Sequence, residues 1–428
     1  MLERAHVDFY GTVLKPDPSR TVVRPFEPGY PSGFDQGRSR TEDTVDLIVG
    51  LDDDELTRQL DGVTASLDEN HRDVDATLRR RFGEIAGHIS STALLSPAQK
   101  RLIGAYFSQE YAYEAAALFN PTVVQHPDQS GLADGATRFV LALRGVGEGH
   151  VSSVTFRTGV WTPAAGLTID DPGPTSVPPT IIPREGSDRE VDLDCSQSRS
   201  LSETVLFPVL PSQRQGIEDL RLVRFTDDDG TVTYHGTYTA FSGAEVRSEL
   251  LTTLDFTSFK MRVLSGDVAT AKGMALFPRR IDGRYLTLGR QDNRNIWLNV
   301  SADLLHWDSG AKLVEPRYPW EFIQVGNCGS PIELDEGWLV MTHGVGTVRN
   351  YCIGACLLDK TDPSKLLART PRPVLAPSPH ERDGYVPNVV YSCGSLVKDR
   401  AMLLPYAVAD SFSAFATLSV DNLLSCME

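Results

Sequence analysis

The sequence predicts an all-β protein, a five-bladed β-propeller, preceded by an N-terminal α-helical segment. Strand-turn-strand units recur through the second part of the chain, and three of them turn at Gly230, Gly283 and Gly337. The intervals of 53 and 54 residues between these glycines are typical of propeller blades. Five such units in radial array leave only short, protected sheet edges. A ligand is therefore expected in the central channel, where the five first strands converge.

The five units share one order: an apolar strand, a polar turn and a second apolar strand. The fourth unit is the best marked, because its second strand, Trp338 to Met341, leads directly to His343 and a Gly-rich loop. In the third unit a cation, Arg290, takes the position that His343 takes in the fourth. The units lie at Asn120–Val146, Asp219–Ala240, Leu276–Arg290, Gln324–Tyr351 and Pro387–Asp410.

Three segments are predicted along the chain. Residues 1–50 are rich in Pro, Gly and charge and are predicted as an irregular arm. Residues 51–118 show helical periodicity, and residues 119–428 form the propeller domain. The arm and the helices together suggest a homo-oligomer.

The helical segment is predicted to contain three helices, Asp53–Leu67, Val74–Ile89 and Pro97–Leu118. The third is the best marked, with Ser96 as its N-cap and Pro97 in its first turn. Further along, the Pro-rich run Asp170–Gly186 is predicted as a long loop that either covers the channel or stays on the surface.

Composition excludes several classes of function. The net charge of −16 argues against a nucleic-acid surface, and an anionic ligand therefore needs a locally basic pocket. The sequence contains no apolar run of membrane-spanning length and no recognisable signal peptide, so a cytoplasmic location is predicted. The histidines are scattered, and we expect no metal. The six cysteines lack CxxC spacing and are predicted as buried free thiols.

The candidate site centres on the start of the second unit, Glu218-Asp219-Leu220-Arg221. Strand alternation predicts that Asp219, and not Glu218, shares a face with Arg221. One carboxylate facing several cations suggests a site for a neutral sugar and an oxyanion together, because Arg binds oxyanions through forked hydrogen bonds. The other units supply the candidate partners Asn120, Arg144, Lys272, Arg290, Arg317, His343 and Tyr351.

The chain from about Phe119 onwards resembles glycoside hydrolase family 130, the β-mannoside phosphorylases and related β-mannosidases with a five-bladed propeller. The resemblance extends over an ordered series of motifs. These are FNP (Phe119 to Pro121), EDLR (Glu218 to Arg221), KGMALFPRRIDGRY (Lys272 to Tyr285), the run from GNCGSPIELDEGWLVMTHGV to YCIGACLLDKTDPSK, the pattern from Glu381 to Gly394, and LPYAVADSF.

The resemblance implies an inverting phosphorolysis. Phosphate attacks the terminal β-mannosyl unit of a manno-oligosaccharide, and α-mannose 1-phosphate is released, with no cofactor beyond phosphate as co-substrate. It further implies one protein acid, at Asp219. The implied phosphate ligands are Arg290, His343, Tyr351 and Lys272, and the implied sugar-binding residues are Asn120, Arg144, Glu218, Arg221, Arg317 and Asn327.

Two positions depart from the family pattern: Leu220 stands where Pro is usual, and Gln324 stands where phosphorylases often have Lys. The first alternative is therefore an inverting β-mannoside hydrolase, with Glu218 or Glu321 activating water. The second is a non-catalytic sugar-binding propeller that would stack sugars on Trp320, Tyr351 and Tyr385. The sequence leaves open whether the linkage is β-1,2 or β-1,4. Arg221 is also expected to lower the pKa of Asp219, in opposition to an acid role.

Overall fold

The computed structural model describes residues 4–30, 39–89, 94–378 and 384–428, which form two compact units. The smaller unit consists of Ser19–Ala112 and Pro174–Ser176, and the larger unit contains the described residues of Met1–Pro18, Tyr113–Gly173 and Val177–Glu428. Most of the regular structure is β-sheet, as the sequence predicts. None of the helices in the described ranges is long and apolar enough to cross a membrane.

The described residues contain 27 strands and five α-helices. In chain order these are β1 (Asp8–Leu14), β2 (Thr21–Pro25), α1 (Arg40–Val49), α2 (Asp53–Asp68), α3 (Val74–Ile85), α4 (Pro97–Tyr106), β3 (Ser108–Ala112), β4 (Ala117–Gln125), β5 (Thr137–Val146), β6 (Ser152–Thr162), β7 (Gly166–Ile169), β8 (Thr180–Pro183), β9 (Glu190–Asp194), β10 (Val205–Leu206), β11 (Gly216–Thr226), β12 (Val232–Phe241), β13 (Val246–Thr253), β14 (Ser258–Val263), β15 (Lys272–Leu276), β16 (Tyr285–Arg290), β17 (Ile296–Ser301), β18 (Gly310–Val314), β19 (Gln324–Asn327), β20 (Ile332–Glu333), β21 (Trp338–Val345), β22 (Tyr351–Leu358), β23 (Leu366–Arg369), β24 (Val390–Tyr391), β25 (Leu396–Lys398), β26 (Ala401–Val408), β27 (Phe412–Ser419) and α5 (Val420–Ser425).

The smaller unit contains α1 to α4 and a two-stranded sheet of β2 and β3. Ser39 and Ser96 begin α1 and α4 with reciprocal capping boxes, which satisfy free N–H groups of the first turn. The apolar faces of the helices meet in a shared core that includes Ile48, Leu102 and Phe107. Burial of such faces stabilises helices that are too short to form alone.

Helix α4 is shorter than predicted, because it ends at Tyr106 rather than at Leu118. The next residues, Ser108–Ala112, pair with Thr21–Pro25 as antiparallel strands. This partner lies almost 90 residues earlier in the chain, so helical periodicity within the segment did not reveal it.

The predicted irregular arm, residues 1–50, contains regular structure in its described part. Asp8–Leu14 pairs with β27 near the end of the chain, Thr21–Pro25 pairs with β3, and Arg40–Val49 is helical. Residues 31–38, which hold part of the Pro- and Gly-rich sequence behind the arm prediction, lie outside the described residues. The described part of residues 1–50 is therefore not an arm without regular structure.

The larger unit consists of five groups of antiparallel strands. Each predicted strand-turn-strand unit forms an antiparallel pair: β4 with β5, β11 with β12, β15 with β16, β20 with β21, and β25 with β26. The first group (β4–β7 and β10) joins the second (β8, β9 and β11–β14) through one parallel pair, Gly216 opposite Ser152. The third group is β15–β18, the fourth is β19–β23, and the fifth is β24–β27 with β1.

Each group packs against the next, and the fifth packs against the first. Four hydrophobic clusters lie between consecutive groups, and each contains buried side chains from both. A further cluster brings Leu403 and Phe415 of the fifth group against Phe139 and Trp161 of the first. The Trp161 Nε1–H also donates to the Tyr10 hydroxyl of β1 at 3.0 Å. Strand β1 therefore belongs to the fifth group and contacts the first.

The run Asp170–Gly186 is not a loop throughout. Thr180–Pro183 forms β8, an exposed strand that pairs with β9 at the outer edge of the second group. None of its residues lines the cavity described below, so the expectation that it covers the channel finds no support.

Candidate active site

The first strands of the first three groups are interrupted at corresponding points. The pairing register shifts within β4, β11 and β15. Each shift contains a residue with left-handed backbone: Asn120 at φ 48°, Asp219 at φ 55° and Gly273 at φ 79°. Such bulges redirect side chains, and Asn and Asp are the non-glycine residues that tolerate this conformation best. The backbone thus turns Asn120 and Asp219 out of normal strand alternation.

These bulges border a cavity of about 240 Å³ in the larger unit. Seven of the predicted site residues line it: Asn120, Arg144, Glu218, Asp219, Lys272, Arg290 and Tyr351. The remaining lining residues are Phe119, Arg349, Tyr385, Val389, Tyr391 and Asp410.

Asp219 is surrounded by hydrogen-bond donors. Its Oδ1 accepts from Asn120 Nδ2 at 2.6 Å and from an Arg144 nitrogen at 3.4 Å. Its Oδ2 lies 3.9 Å from an Arg221 nitrogen. Burial pushes the pKa of this carboxyl upwards, but Arg144, Arg221, the Asn120 hydrogen bond and Lys272 together outweigh burial and hold the pKa below its usual value. Asp219 is therefore ionised at neutral pH.

Glu218 and Asp219 both line the cavity, in contrast to the prediction from strand alternation. Arg144 donates to Glu218 Oε1 at 2.8 Å and contacts Asp219 through its other terminal nitrogen. Arg221 is buried, and donates to the Asp219 carbonyl oxygen at 2.9 Å and to the Tyr391 hydroxyl at 2.7 Å. The bulge explains the difference, because the two-residue period does not hold across it.

Lys272 and Arg290 form the basic side of the cavity. They stand opposite each other on the paired strands β15 and β16, and both line the cavity. Two positive charges held this close create a positive potential that favours the binding of an anion between or beside them. Arg349, from the turn between β21 and β22, adds a third positive charge to the lining.

His343 is fully buried and does not line the cavity. Its Nε2 lies 3.2 Å from an Arg290 terminal nitrogen. Burial, with the charges of Arg290 and Arg221, moves the pKa of this imidazole far below its usual value, so the ring is neutral. The neutral ring accepts from Arg290 through Nε2 and so holds the guanidinium in place on the side that faces away from the cavity.

Gly326, in the fourth group, leaves space for the contact between His343 and Arg290. A Cβ at Gly326 would lie 2.4 Å from His343 Cε1 and 2.8 Å from Arg290 Cδ, so only glycine fits there without displacing both side chains. The Gln324 side chain also contacts His343, at 3.2 Å. Gln324 thus contacts the imidazole that supports Arg290.

Three predicted sugar ligands lie outside the cavity lining: Arg221, which is buried beneath Asp219, Asn327 and Arg317. Asn327 is buried on β19, where its amide nitrogen donates to the Gly329 carbonyl oxygen at 3.4 Å. Arg317 lies beside the Tyr318 ring, and its backbone N–H donates to Glu321. Sequence position alone suggested Arg317, since it lies between the third and fourth strand-turn-strand units.

Glu321, a candidate base for hydrolysis, is fully buried away from the cavity. Both of its carboxylate oxygens accept from Arg369 at 2.7 Å, and one also accepts from the Arg317 and Tyr318 backbone N–H groups. A carboxylate paired in this way has no route to water in the cavity.

Four lining residues were not singled out in the sequence analysis: Arg349, Val389, Tyr391 and Asp410. Asp410 follows β26 and lies within the LPYAVADSF motif that contributes to the family resemblance, which is the signal that could have identified it. Burial raises the pKa of Asp410 to about 6, with the charge of Asp219 adding to the effect while Arg144 and Arg349 oppose it.

Within the described ranges no group of three His, Cys, Asp or Glu side chains is arranged to hold a metal ion. All six cysteines are buried free thiols, as predicted. The described lining of the cavity contributes two aspartates whose pKa values are shifted in opposite directions, a glutamate paired with Arg144, and a basic wall.

Five packed groups of antiparallel strands around a cavity that combines carboxylates with a basic wall are features of carbohydrate-active enzymes. Residues 190–428 match the sequence profile described as β-1,4-mannooligosaccharide phosphorylase. This match covers more than half of the chain, and the chain belongs to glycoside hydrolase family 130.

Characterised relatives agree with this membership. A 1,2-β-oligomannan phosphorylase of Thermoanaerobacter sp. (strain X514) is 33% identical over 228 residues, covering 52% of this chain and 75% of the relative. A β-1,2-mannobiose phosphorylase of Listeria innocua is 33% identical over 233 residues, covering 52% of this chain and 63% of the relative.

Solved structures share the fold. The Listeria innocua β-1,2-mannobiose phosphorylase in complex with β-1,2-mannobiose superposes with a TM-score of 0.53 at 22% identity, covering 73% of this chain and 92% of that one. A family 130 structure described among hydrolases that target β-1,2 mannosidic linkages in Candida mannan has the same TM-score at 19% identity, covering 73% and 87%.

Proposed function

We propose that this protein is an inverting phosphorylase of terminal β-mannosides. Phosphate attacks the anomeric carbon, the bond to the acceptor oxygen breaks, and a proton reaches that oxygen, giving α-mannose 1-phosphate and a shortened acceptor. The observation that supports this most is the cavity itself, in which Asp219 accepts hydrogen bonds from Asn120 and Arg144 while Lys272, Arg290 and Arg349 supply positive charge. Family 130 phosphorylases use phosphate as co-substrate and need no cofactor.

Asp219 is the proposed acid, although Arg144, Arg221, Asn120 and Lys272 lower its pKa. A phosphate dianion beside Lys272 and Arg290 would bring negative charge near Asp219 and oppose the effect of Lys272, the smallest of these influences. It would therefore act in the same sense as burial and raise the pKa of Asp219. Phosphate binding would thus favour the acid form needed to protonate the leaving oxygen.

The proposed oxyanion ligands are Lys272, Arg290, Tyr351 and, in addition, Arg349. His343 acts through Arg290, since its ring is buried behind that guanidinium. The proposed sugar ligands are Asn120, Arg144 and Glu218, all of which line the cavity. Arg221 positions Asp219, whose carbonyl oxygen it contacts.

Hydrolysis is the weaker alternative. It needs a carboxylate that can activate water, and Glu321 is ruled out by its buried pairing with Arg369. Glu218 lines the cavity, but its carboxylate already pairs with Arg144 at 2.8 Å, so an attacking water would compete with Arg144 for this carboxylate. The basic wall would also have no role in attack by water.

Product analysis tests the reaction. Purified protein is incubated with β-1,2- and β-1,4-mannobiose, with and without phosphate, and the sugars are separated. We expect mannose 1-phosphate with one of the two linkages, formed only when phosphate is present. Free mannose at equal rates in both conditions would mean a hydrolase, and no turnover with sugar bound would mean a binding protein. Asp219→Asn should abolish turnover, since general acids contribute about 10²–10⁴-fold.

The fold is proposed to be a five-bladed β-propeller in which each strand group is one blade. The ring of hydrophobic clusters between consecutive groups supports this arrangement. So does β1, which pairs with β27 and contacts Trp161 of the first group. The cavity would then lie at one end of the central channel.

A further inference from the structure

An exposed aromatic pair stands at the mouth of the cavity, and the reaction as proposed above makes no use of it. Tyr385 lines the cavity, yet 72% of its surface is exposed. Its ring lies 5.6 Å from the His150 ring, at an angle of 40°. We propose that Tyr385 and His150 form the platform for the acceptor sugar, the unit that leaves when the mannoside is cleaved. This acceptor subsite rests on the function proposed above.

The size of the cavity places the acceptor outside it. Pockets that enclose a whole drug-sized ligand measure about 300–1,000 Å³, whereas this cavity measures about 240 Å³. A cavity of this size is too small to enclose a disaccharide together with phosphate. We therefore place the mannosyl unit beside the basic wall and the acceptor sugar at the mouth, where Tyr385 is the exposed part of the lining.

The other aromatic residues of the lining are less available. Phe119 and Tyr391 are buried, with 6% and 7% of their surfaces exposed, and Tyr351 is half-buried. The Phe119 face is already covered by the Arg144 guanidinium, 5.0 Å away. Tyr385 alone among the described lining residues offers a large aromatic face to solvent, where a pyranose can stack on it.

His150 is held in place by a strained turn. It sits between β5 and β6 with φ 58°, after Gly149 at φ 69°. The turn between β21 and β22 has the same form, with Val348 at φ 54° and Arg349 at φ 52°. Gly147 and Gly346 also begin the two turns with nearly equal backbone angles.

The two turns are therefore equivalent, and His150 and Arg349 hold the same position in each. Arg349 lines the cavity, and His150 contacts Tyr385, which lines it too. Non-glycine residues in left-handed conformation cost energy and cluster at ligand sites. The repeated turn thus presents one side chain to the phosphate side of the cavity and one to its mouth.

The chemistry of this pair indicates the class of acceptor. A phenol ring beside an imidazole favours the C–H face of a neutral pyranose and contributes few hydrogen bonds directed at individual hydroxyls. We expect the subsite to accept mannose or another hexopyranose with similar affinity when that sugar is linked to the bound mannosyl unit, whereas free mannose fills the enclosed mannosyl position in preference to this open platform. Strict selection would instead need fixed polar contacts.

Equilibrium binding tests the subsite without turnover. Calorimetric titrations use β-1,2- and β-1,4-mannobiose, and mannose alone, in phosphate-free buffer. The protein has the Asp219→Asn substitution, so that neither phosphorolysis nor hydrolysis consumes the sugar. In this background Tyr385→Ala should weaken binding of the disaccharide by about tenfold and leave mannose binding within about twofold.

Two further variants refine the test. His150→Gly keeps the left-handed backbone and removes the ring, and a loss of about threefold for the disaccharide alone is expected. Tyr385→Phe should retain most of the affinity, and Tyr106→Ala, which removes an exposed tyrosine from the end of α4, should change nothing. Circular dichroism confirms that each variant is folded.

Equal losses for mannose and for the disaccharide would overturn the subsite, as would unchanged binding by both Tyr385→Ala and His150→Gly. Failure of the proposed reaction has a different signature. In that case wild-type protein gives no mannose 1-phosphate in the product analysis, whereas the binding difference between disaccharide and mannose persists.

Discussion

Asp219 and Asp410 line one cavity, yet their surroundings shift the pKa values of their carboxyls in opposite directions. Arg144, Arg221, Asn120 and Lys272 lower the pKa of Asp219 against the effect of burial. Burial and the charge of Asp219 raise the pKa of Asp410 to about 6. Asp219, whose pKa is lowered, is the proposed acid. Asp410, whose pKa is raised, is its neighbour in the cavity lining.

Asp410 should make stability depend on pH in a definite direction. Its folded pKa of about 6 lies above its ordinary value of 3.8, so the folded state holds the proton more tightly than the unfolded chain. The free energy of unfolding therefore falls as pH rises from about 4 to about 6. Asp410→Asn removes this loss, which is at most about 3 kcal/mol for a shift of this size.

The measurement is the melting temperature of wild type and Asp410→Asn between pH 4 and pH 8. We expect the melting temperature of the variant to rise relative to that of wild type between about pH 4 and about pH 6. Above about pH 6 the difference in melting temperature should stay constant. A difference that does not change with pH would show that the Asp410 carboxyl titrates normally.

His343 should affect phosphate only through Arg290. His343→Ala removes the ring that lies 3.2 Å from the guanidinium, so it should raise the KM for phosphate by about tenfold, with a smaller effect on the KM for sugar. Arg290→Ala should raise the phosphate KM further. Because both substitutions disable one guanidinium, adding His343→Ala to Arg290→Ala should produce little extra effect.

A double-mutant cycle in phosphate KM measures this coupling. Gly11, an exposed position with nothing near its missing Cβ, provides the neutral control as Gly11→Ala. Fully additive effects of His343→Ala and Arg290→Ala would mean that the imidazole binds phosphate itself, as the family resemblance first implied.

At the scale of elements, local patterns predicted those features that depend on nearby residues. Turn signals such as Asp282-Gly283 gave all five strand pairs, because a tight turn and alternating strands fix a hairpin locally. In the smaller unit, Asp53–Asp68 and Val74–Ile85 agree with prediction to within a few residues. Strands β2 and β3 were missed because each depends on a partner far away in the chain.

The bulges set the limit for predicting the site. Side-chain direction was inferred from a period of two, which fails wherever an extra residue enters one strand. The left-handed backbone at Asn120 and Asp219 depends on packing that no local pattern specifies. The set of site residues was thus largely predictable, but the contacts between Glu218, Asp219 and Arg144 were not.

The contact between α3 and α4 depends on one glycine. A Cβ at Gly104 would lie 2.0 Å from the Leu78 carbonyl oxygen, so Gly104→Ala must force the helices apart. We expect a loss of about 1–3 kcal/mol in the stability of the smaller unit. Gly83→Ala in α3 is the matched control, because nothing lies within 4 Å of its Cβ, and it should stabilise by about 0.5–1 kcal/mol.

Chemical denaturation followed by far-ultraviolet circular dichroism compares the two variants. Opposite signs for Gly104→Ala and Gly83→Ala are expected. A neutral effect of Gly104→Ala would show that the helices separate at no cost, in conflict with their close packing.

At the scale of the whole molecule, the start of the chain completes the sheet formed by its end. Strand β1 pairs with β27, with Asp8 opposite Thr417 and Leu14 opposite Ser413. Its Tyr10 hydroxyl accepts from Trp161 of the first strand group. The residues of the fifth group that line the cavity, Tyr391 and Asp410, thus belong to a sheet that is incomplete without the beginning of the chain.

Deletion of the chain through Leu14 should therefore weaken the larger unit and its site together. Without β1, strand β27 becomes an open edge that invites aggregation, and Trp161 loses its partner. We expect a lower melting temperature and weaker sugar binding.

A synthetic peptide of residues 4–18, added in excess, should restore both properties by pairing with the exposed edge of β27. The stabilisation should grow with peptide concentration as RT ln(1 + [L]/Kd). A peptide of the same composition in scrambled order should restore neither. If the deletion left stability and binding unchanged, β27 would not need its partner, and closure of the five groups would rest on side-chain packing alone.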